Sequence, residues 1–251
     1  MKITSVQNPR IKSAVRLRDR RGRAQQGRMI IDGRREIERA AAAGVAVREL
    51  FICGAAPAPK IGKAEIFEVS PAVFAKLAYG NRDEGLVAVA DIPAVSLDKL
   101  SVSGNAVVAV LEGVEKPGNV GAVLRTADAA GLAALLVVDG GTDLYNPNTI
   151  RASLGAIFTV PVAACDAAAA RDWLRRSRFR ILAARVDGAI PHAKADYSGR
   201  CAIALGSEAA GLTDAWRGED ITAIALPMRG KVDSLNVSAA AAVLFYEATR
   251  T

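Results

Sequence analysis

The chain has 251 residues, of which 51% are apolar and 5% aromatic, and its 33 basic and 26 acidic side chains give a net charge of +7. This length and composition allow one large domain or two small ones and exclude intrinsic disorder. They also argue against a membrane or secreted protein, because no run approaches the ~18–20 apolar residues of a membrane span and the N-terminus lacks a signal-peptide core.

The basic excess lies entirely in the first 40 residues, which hold 12 basic and 4 acidic side chains. Acidic residues are too scarce there to form the usual pairs along a helix, so phosphate binding explains the segment better than a solvated helix face does. Arginine can also stack on exposed bases. We predict that seven side chains of this segment bind nucleic acid: Arg10, Lys12, Arg16, Arg18, Arg20, Arg21 and Arg23. A second basic group at 171–180 is more ambiguous and is interpreted as the end of a helix.

The first 90 residues alternate helical and strand patterns, which predicts a small α/β domain. One basic helix is expected over 9–26, ending near Gly27, and a second over 34–43, closed by Gly44. A short helix with proline in its first turn is expected over 71–78. Strands are predicted at 29–32, 49–53, 65–69 and 86–90. Residues 91–105 have no strong period and are predicted to be a linker.

From residue 106 to the end, continuous apolar runs alternate with helical segments. This pattern predicts a second α/β domain at 106–251, with a mostly parallel sheet covered by helices on both faces. Strands are expected at 107–111, 134–138, 158–163, 180–184, 201–205 and 221–226, and helices at 120–130, 239–250 and between the later strands. Ligands of such sheets bind at the carboxyl ends of the strands.

Three polar clusters directly follow predicted strands of this second domain. Each has a simpler structural explanation: Asn119 and Asn236 can be helix caps, residues 206–208 a capping box, and Arg125 a surface residue, although its helical neighbours are apolar. Together, however, three strand-end loops that bring amide, carboxylate, hydroxyl and guanidinium groups to one sheet edge favour a functional site.

These clusters resemble the three signature motifs of the SpoU/TrmH family of SPOUT RNA methyltransferases. The matching segments are NVGAVLRTA at 119–127, LGSEAAGL at 205–212 and LPMRGKVDSLNVS at 226–238. The second and third motifs together are highly specific, and the likeness extends from about 106 to 250. Residues 1–90 resemble, less specifically, the ribosomal-protein-like substrate-binding domain that often precedes this fold.

The resemblance implies S-adenosyl-L-methionine-dependent 2′-O-methylation of a ribose in RNA, a C-terminal trefoil knot and an obligate homodimer, without a metal. The cofactor-binding residues that it implies are Gly206, Leu226, Leu235 and, more weakly, Met228. The catalytic residues that it implies are Arg125, Glu208, Ser234, Asn236 and Asn119. One departure is Lys116, where members often carry an acidic or amide residue, which bears on how the target nucleotide is gripped.

The family assigns activation of the ribose hydroxyl to the position of Arg125. Because a guanidinium keeps its proton up to a pH of about 12, we favour a role in orienting the ribose-phosphate and stabilising the forming alkoxide over one as a general base. Glu208 is expected to hold Arg125 or a loop N–H, and Asn119, Ser234 and Asn236 are expected to fix the hydroxyl, the phosphate or the cofactor carboxylate. The single histidine, His192, lies outside the motifs and is expected at the surface.

The appended N-terminal domain favours ribosomal RNA as the substrate, with transfer RNA as the alternative. Two rival functions are a catalytically silent RNA-binding protein of the same fold and a Rossmann-type methyltransferase with a glycine loop at 137–141. The three cysteines, Cys53, Cys165 and Cys201, are widely spaced and odd in number, which favours free thiols and a cytoplasmic protein.

Overall fold

The structure, a computed structural model, describes residues 2–55, 57–78, 84–187 and 190–250. The elements up to residue 130 are β1 (Lys2–Ile3), α1 (Pro9–Arg16), α2 (Arg20–Gln26), β2 (Arg28–Asp32), α3 (Arg34–Ala42), β3 (Val47–Ile52), β4 (Glu65–Val69), α4 (Pro71–Leu77), β5 (Leu86–Asp91), β6 (Ala106–Glu112) and α5 (Pro117–Ala130). The remaining ones are β7 (Ala134–Val138), α6 (Pro147–Ala152), β8 (Val162–Cys165), α7 (Ala167–Arg176), β9 (Arg180–Ala184), β10 (Ile190–Pro191), β11 (Arg200–Leu205), β12 (Ile221–Ala225) and α8 (Val237–Ala248).

The chain folds into two units, one of residues 1–94 with 143–159 and one of residues 95–142 with 160–251. The first unit has a five-stranded mixed sheet in the order β1-β4-β3-β5-β2. Apolar side chains from α1, α4 and the sheet, Ile11, Phe51 and Phe67 among them, form its core. Helix α6 also packs on β2 in this unit. The segment 143–159 therefore belongs to the first unit, although the sequence analysis assigned it to the second domain.

The predicted basic helix over 9–26 is wrong in one respect, because the chain turns between Arg16 and Arg20 and forms two helices. Leu17 is buried at the turn, and Gly22 lies so close to the carbonyl of Arg16 that a Cβ atom there would sit 2.0 Å from its oxygen. Arg23 closes the turn by donating hydrogen bonds from Nη1 to the carbonyl oxygens of Leu17 and Arg18, at 2.6 and 2.7 Å. The break therefore depends on tertiary contacts that helical periodicity does not record.

The second unit has a seven-stranded sheet in the order β10-β12-β9-β11-β6-β7-β8, and its neighbouring strands pair in parallel. The prediction of a mostly parallel sheet is thus confirmed. Its strands are buried: Val110, Leu136 and Ala204 are fully covered, in a core that also contains Leu174 of α7 and Trp216.

Two predictions for the later strands need correction. The apolar run at 158–163 is not one strand, because Ala156–Phe158 forms a 3₁₀ turn and β8 starts only at Val162. Full helices do not separate the last strands either, since only short 3₁₀ turns, His192–Lys194 and Asp214–Trp216, lie between β9 and β12 in the described part of the chain. Long loops rather than helices therefore follow β9 and β11, and they are available to build a site.

Candidate functional site

The three polar clusters follow β6, β11 and β12, as predicted. Strands β6 and β11 are direct neighbours, with Leu111 opposite Leu205, so the loops after them leave the sheet side by side. The first cluster continues into α5, where Asn119 is in the first turn and Lys116 is at the N-cap position. The third leads into α8, which packs against α5. The topology therefore brings all three clusters to one edge of the sheet.

Glu208 joins the three clusters through its Oε1 atom. It accepts a hydrogen bond from Nδ2 of Asn119 and another, at 3.4 Å, from Nδ2 of Asn236. The expectation that Glu208 holds Arg125 or a loop N–H is therefore wrong in this structure, where two side-chain amides are its hydrogen-bond partners. One carboxylate fixes the positions of both amides and leaves its other oxygen for a ligand.

Asn236 is also the N-cap of α8, which confirms the structural explanation of that residue. Its Oδ1 accepts hydrogen bonds from the backbone N–H of Ser238 at 3.0 Å and from its hydroxyl at 2.7 Å. Because the cap fixes the amide plane, Nδ2 must face Glu208. The amide oxygen of Asn236 thus caps the helix, and the amide nitrogen of the same group binds Glu208 in the site.

Arg125 lies on α5, exposed to solvent. Within the described part of the chain it has no hydrogen bond or ion pair, and the hydrogen bonds of the Glu208 carboxylate go to Asn119 and Asn236 instead. Asn119 and Arg125 are six residues apart on the helix, about 9 Å along its axis. Their shared role in catalysis stays a prediction, and the guanidinium is available to an external anion.

A cavity of about 550 Å³ opens beside this cluster. All four predicted cofactor-binding residues line it, namely Gly206, Leu226, Met228 and Leu235. Glu208 and Ser234 line it as well, whereas Asn119, Arg125 and Asn236 do not. A volume of this size, with apolar walls and a few polar groups, suits a ligand of nucleoside dimensions.

The wall formed by residues 206–212 is held by close backbone packing. Gly206 touches the backbone of Gly211, where an added Cβ would lie 2.0 Å from the carbonyl carbon, and the N–H of Gly211 donates to the carbonyl oxygen of Ser207 at 2.9 Å. Gly211 has φ +67°, a left-handed conformation that glycine adopts without strain. The glycines of this motif therefore determine the shape of the cavity.

A buried carboxylate that the sequence analysis did not single out, Glu112, anchors the same loop from the end of β6. It accepts hydrogen bonds from the backbone N–H and hydroxyl of Thr213, at 2.7 and 2.8 Å, and from Nε1 of Trp216 at 2.9 Å. These donors satisfy the buried charge. The signal available in the sequence was an acidic residue directly after the apolar run 106–111.

Of the seven basic residues predicted to bind nucleic acid, four are exposed and three are buried or half-buried with partners inside the protein. Four are exposed on α1 and α2: Lys12, Arg16, Arg20 and Arg21. The prediction is wrong for Arg23, which is 1% exposed and forms an ion pair with Asp143 at 2.7 Å.

Arg10 and Arg18 have partners inside the first unit. Arg10 lies over the ring of Phe67 and pairs with Glu49 and Glu65, and Arg18 donates to the carbonyl oxygen of Ala78. They are therefore less available to RNA than the exposed group. In the second basic group, Arg171 and Arg175 are likewise paired, both with Asp220.

Cys53, Cys165 and Cys201 are free thiols, as predicted. Burial raises the pKa of Cys201 to about 12, so it is not a reactive thiolate. His192 is half-buried rather than at the surface and does not line the cavity. Among the described residues, no group of three or more His, Cys, Asp or Glu side chains has the arrangement of a metal site, and no helix is long and apolar enough to cross a membrane.

The buried parallel sheet, the nucleoside-sized cavity and the amide–carboxylate cluster beside it define an α/β enzyme that binds a nucleotide-like cofactor. Residues 106–246 match the model of the SpoU rRNA Methylase family, and residues 8–88 match that of the MRM3-like substrate binding domain. The chain belongs to the SpoU rRNA methylase family. This confirms the family and enzyme class expected from the three motifs and rules out the Rossmann-type methyltransferase.

Relatives and solved structures agree with this assignment. The chain is 27% identical to the 23S rRNA (guanosine(2553)-2′-O)-methyltransferase RlmP of Bacillus subtilis (strain 168), over 97% of both chains. A crystal structure of an RNA 2′-O ribose methyltransferase superimposes with a TM-score of 0.87 at 41% identity, covering 100% of this chain and 98% of the other. The SpoU methyltransferase AviRb from Streptomyces viridochromogenes, solved with the cofactor AdoMet, gives a TM-score of 0.87 at 28% identity, covering 97% and 98%.

Proposed function

We propose that this protein transfers a methyl group from S-adenosyl-L-methionine to a ribose 2′-hydroxyl of ribosomal RNA. The observation that carries the proposal is the single carboxylate of Glu208, which joins Asn119 and Asn236 beside a cavity lined by the predicted cofactor residues. Family membership and the rRNA 2′-O-methyltransferase activity in the name of the Bacillus relative support the reaction and the substrate class.

The residues present fit the cofactor. Leu226, Met228 and Leu235 provide the apolar surface that an adenine ring requires, and Gly206 allows close approach to backbone groups. The AviRb structure with bound AdoMet supports the same cofactor here. When bound, the cofactor supplies an electrophilic methyl group on a sulfonium.

As the 2′-oxygen forms its bond to the methyl group, the methyl–sulfur bond would break and the hydroxyl proton would have to pass to an acceptor. Glu208 is placed to accept a hydrogen bond on the oxygen that its two amide partners leave open, and Ser234 lines the same cavity. Arg125 is exposed and has no ion pair among the described residues, so its guanidinium can bind the ribose-phosphate and stabilise negative charge on the attacking oxygen. We infer that Arg125 orients the ribose and does not act as a general base.

The knot and the homodimer stay predictions from the family resemblance. In support of a dimer, α8 exposes Val243 and Tyr246, three residues apart on one face, although α5 packs against the helix. An exposed valine and tyrosine at this spacing form an apolar patch that a second copy of the chain can cover. Sedimentation velocity measures the association directly, and a monomer at micromolar concentration would rule it out.

The free thiols are compatible with a reducing compartment, and we expect the protein to act on ribosomal RNA in the cytoplasm. The direct test supplies cofactor with a labelled methyl group and ribosomal or transfer RNA from a strain that lacks the protein. We expect label in one 2′-O-methylated nucleotide of ribosomal RNA. Label in transfer RNA alone overturns the proposal that ribosomal RNA is the substrate. Cofactor binding without methyl transfer to either RNA supports a catalytically silent RNA-binding protein.

We expect RNA affinity to depend on the exposed basic side chains of α1 and α2. Changing Lys12, Arg16 and Arg21 together to alanine removes three exposed cations and should reduce the slope of log affinity against log salt by about 2–3, at about 0.7–0.9 per phosphate contact. Fluorescence anisotropy with an rRNA fragment over a salt series measures this slope. The matched control changes the exposed Lys60, Lys63 and Lys76 of the same unit. An equal loss in the control would show that only net charge matters.

A further inference from the structure

The loop after β9 carries an arginine that the family motifs do not include. Arg185 directly follows the last residue of the strand, and its backbone N–H donates to the carbonyl oxygen of Ile224 in the parallel neighbour β12 at 2.8 Å. Because β9 lies between β11 and β12, this loop emerges between the two loops that provide most of the cavity wall. Arg185 lines the same cavity as Gly206 and Leu235.

The Arg185 side chain is held in place on one side only. Its Nε and Nη2 atoms bind the two carboxylate oxygens of Asp187, at 2.9 and 3.3 Å, and Asp187 in turn binds Nη2 of Arg217 at 3.0 Å. Arg185 and Arg217 hold the pKa of the Asp187 carboxyl well below its usual range. Asp187 therefore stays ionised near neutral pH and keeps both ion pairs. The guanidinium therefore has a fixed orientation without a ligand.

The third guanidinium nitrogen is left without a partner. The side chain of Arg185 is only 10% exposed, and its Nη1 atom is buried with no hydrogen-bond partner in the described part of the chain. A buried, charged donor without a protein acceptor is energetically costly, and an anionic ligand group removes that cost. The unpaired nitrogen thus points to an anion as part of the ligand.

The charges around the cavity match those of one ligand. Among the described residues that line it, Arg185 is the single cation, and Asp187, Glu208 and Asp233 are the anions. S-Adenosyl-L-methionine carries the complementary set, with two cations, the sulfonium and the ammonium, and one anion, the carboxylate. A mononucleotide phosphate would place further negative charge against three carboxylates and would meet only one cation.

We propose that Nη1 of Arg185 binds the methionyl carboxylate of S-adenosyl-L-methionine and thereby sets the position of the amino-acid end of the cofactor. This assignment rests on the proposed function. It gives Asp187 a positioning role, because Asp187 holds the guanidinium through its other two nitrogens. It also predicts that the cofactor site discriminates ligands by their carboxylate before any RNA binds.

The test is a binding cycle in which the arginine and the ligand carboxylate are removed separately and together. Isothermal titration with S-adenosyl-L-methionine and with its decarboxylated form should show about a tenfold to hundredfold preference for the carboxylate in the wild-type protein, as expected for a charge-assisted hydrogen bond. In Arg185→Met the preference should disappear, while Arg185→Lys should restore part of it. Asp187 keeps Arg217 as a partner, so the loop retains an ion pair in both variants.

Arg217→Met is the matched control, since it removes the other cation bound to Asp187 from a residue that does not line the cavity. We expect it to keep the carboxylate preference. A preference that persists in Arg185→Met, or that is missing in the wild type, overturns the assignment while leaving the proposed function intact. Failure of the wild-type protein to bind S-adenosyl-L-methionine at all overturns both.

Discussion

Replacing Arg125 by alanine should lower the turnover number for methyl transfer by about a hundredfold to a thousandfold, the usual effect of losing one group that stabilises charge in a transition state. Affinity for S-adenosyl-L-methionine should stay unchanged, because Arg125 does not line the cavity. Stability should also stay unchanged, because the side chain is exposed and has no ion pair among the described residues. Single-turnover transfer, isothermal titration and thermal melting measure the three quantities.

The chemical role of Arg125 can be tested with two further measurements. Arg125→Lys keeps the positive charge but lacks the planar fork that binds a phosphate through two parallel bonds, so we expect most of the loss to persist. Guanidinium ion, fully protonated at neutral pH, should partly restore Arg125→Ala. Arg176→Ala on α7, which is also exposed, is the matched control and should retain full activity. Near-wild-type turnover of Arg125→Lys would rule out positioning by the fork.

The sequence predicted the location of the site because that location follows from chain topology. In a parallel sheet the loops after the strands all emerge at one edge, so polar clusters after three buried runs had to lie on the same side. Those runs are continuous and apolar because helices cover both faces of the sheet. The four predicted cofactor residues line one cavity for the same reason.

The N-terminal basic segment shows where sequence patterns are insufficient. Arginines and lysines in close succession indicated a surface for RNA, yet Arg23 is buried in an ion pair with Asp143, 120 residues away. The partner belongs to a segment that the sequence assigned to the other domain. A local pattern cannot record such a partner, so it overestimated the number of side chains that are free to bind phosphate.

The hydrogen-bond partners of Glu208 in the site could not be predicted from the sequence either. The prediction had Glu208 hold either Arg125 or a loop N–H, but the fold places the carboxylate between two side-chain amides instead. Glu112 and Arg185 were missed because neither belongs to a motif. Both are charged residues at or directly after the end of a buried strand, and that position is the signal by which they could have been found.

Gly206→Ala should abolish measurable binding of S-adenosyl-L-methionine while the protein still folds. The added Cβ would lie 2.0 Å from the carbonyl carbon and 2.2 Å from the oxygen of Gly211, and these backbone atoms cannot rotate away as a side chain can. The segment around Gly211 must therefore move, and Gly206 and Gly211 both line the cavity. Displacing a packed wall costs about 1–3 kcal/mol of folding free energy. Isothermal titration and thermal melting report the two effects separately.

Two glycine variants serve as comparisons for Gly206→Ala. Gly211→Ala adds a methyl group that meets no atom within 4 Å, so only the left-handed backbone, at a cost of roughly 1–2 kcal/mol, opposes it and cofactor binding should persist. Gly118→Ala, in the first turn of α5 and equally free of contacts, should leave stability and binding unchanged. Normal affinity in Gly206→Ala would mean that the wall adjusts without cost to the site. Loss of binding in all three would mean that the affinity depends on backbone flexibility and not on the close packing of Gly206 against Gly211.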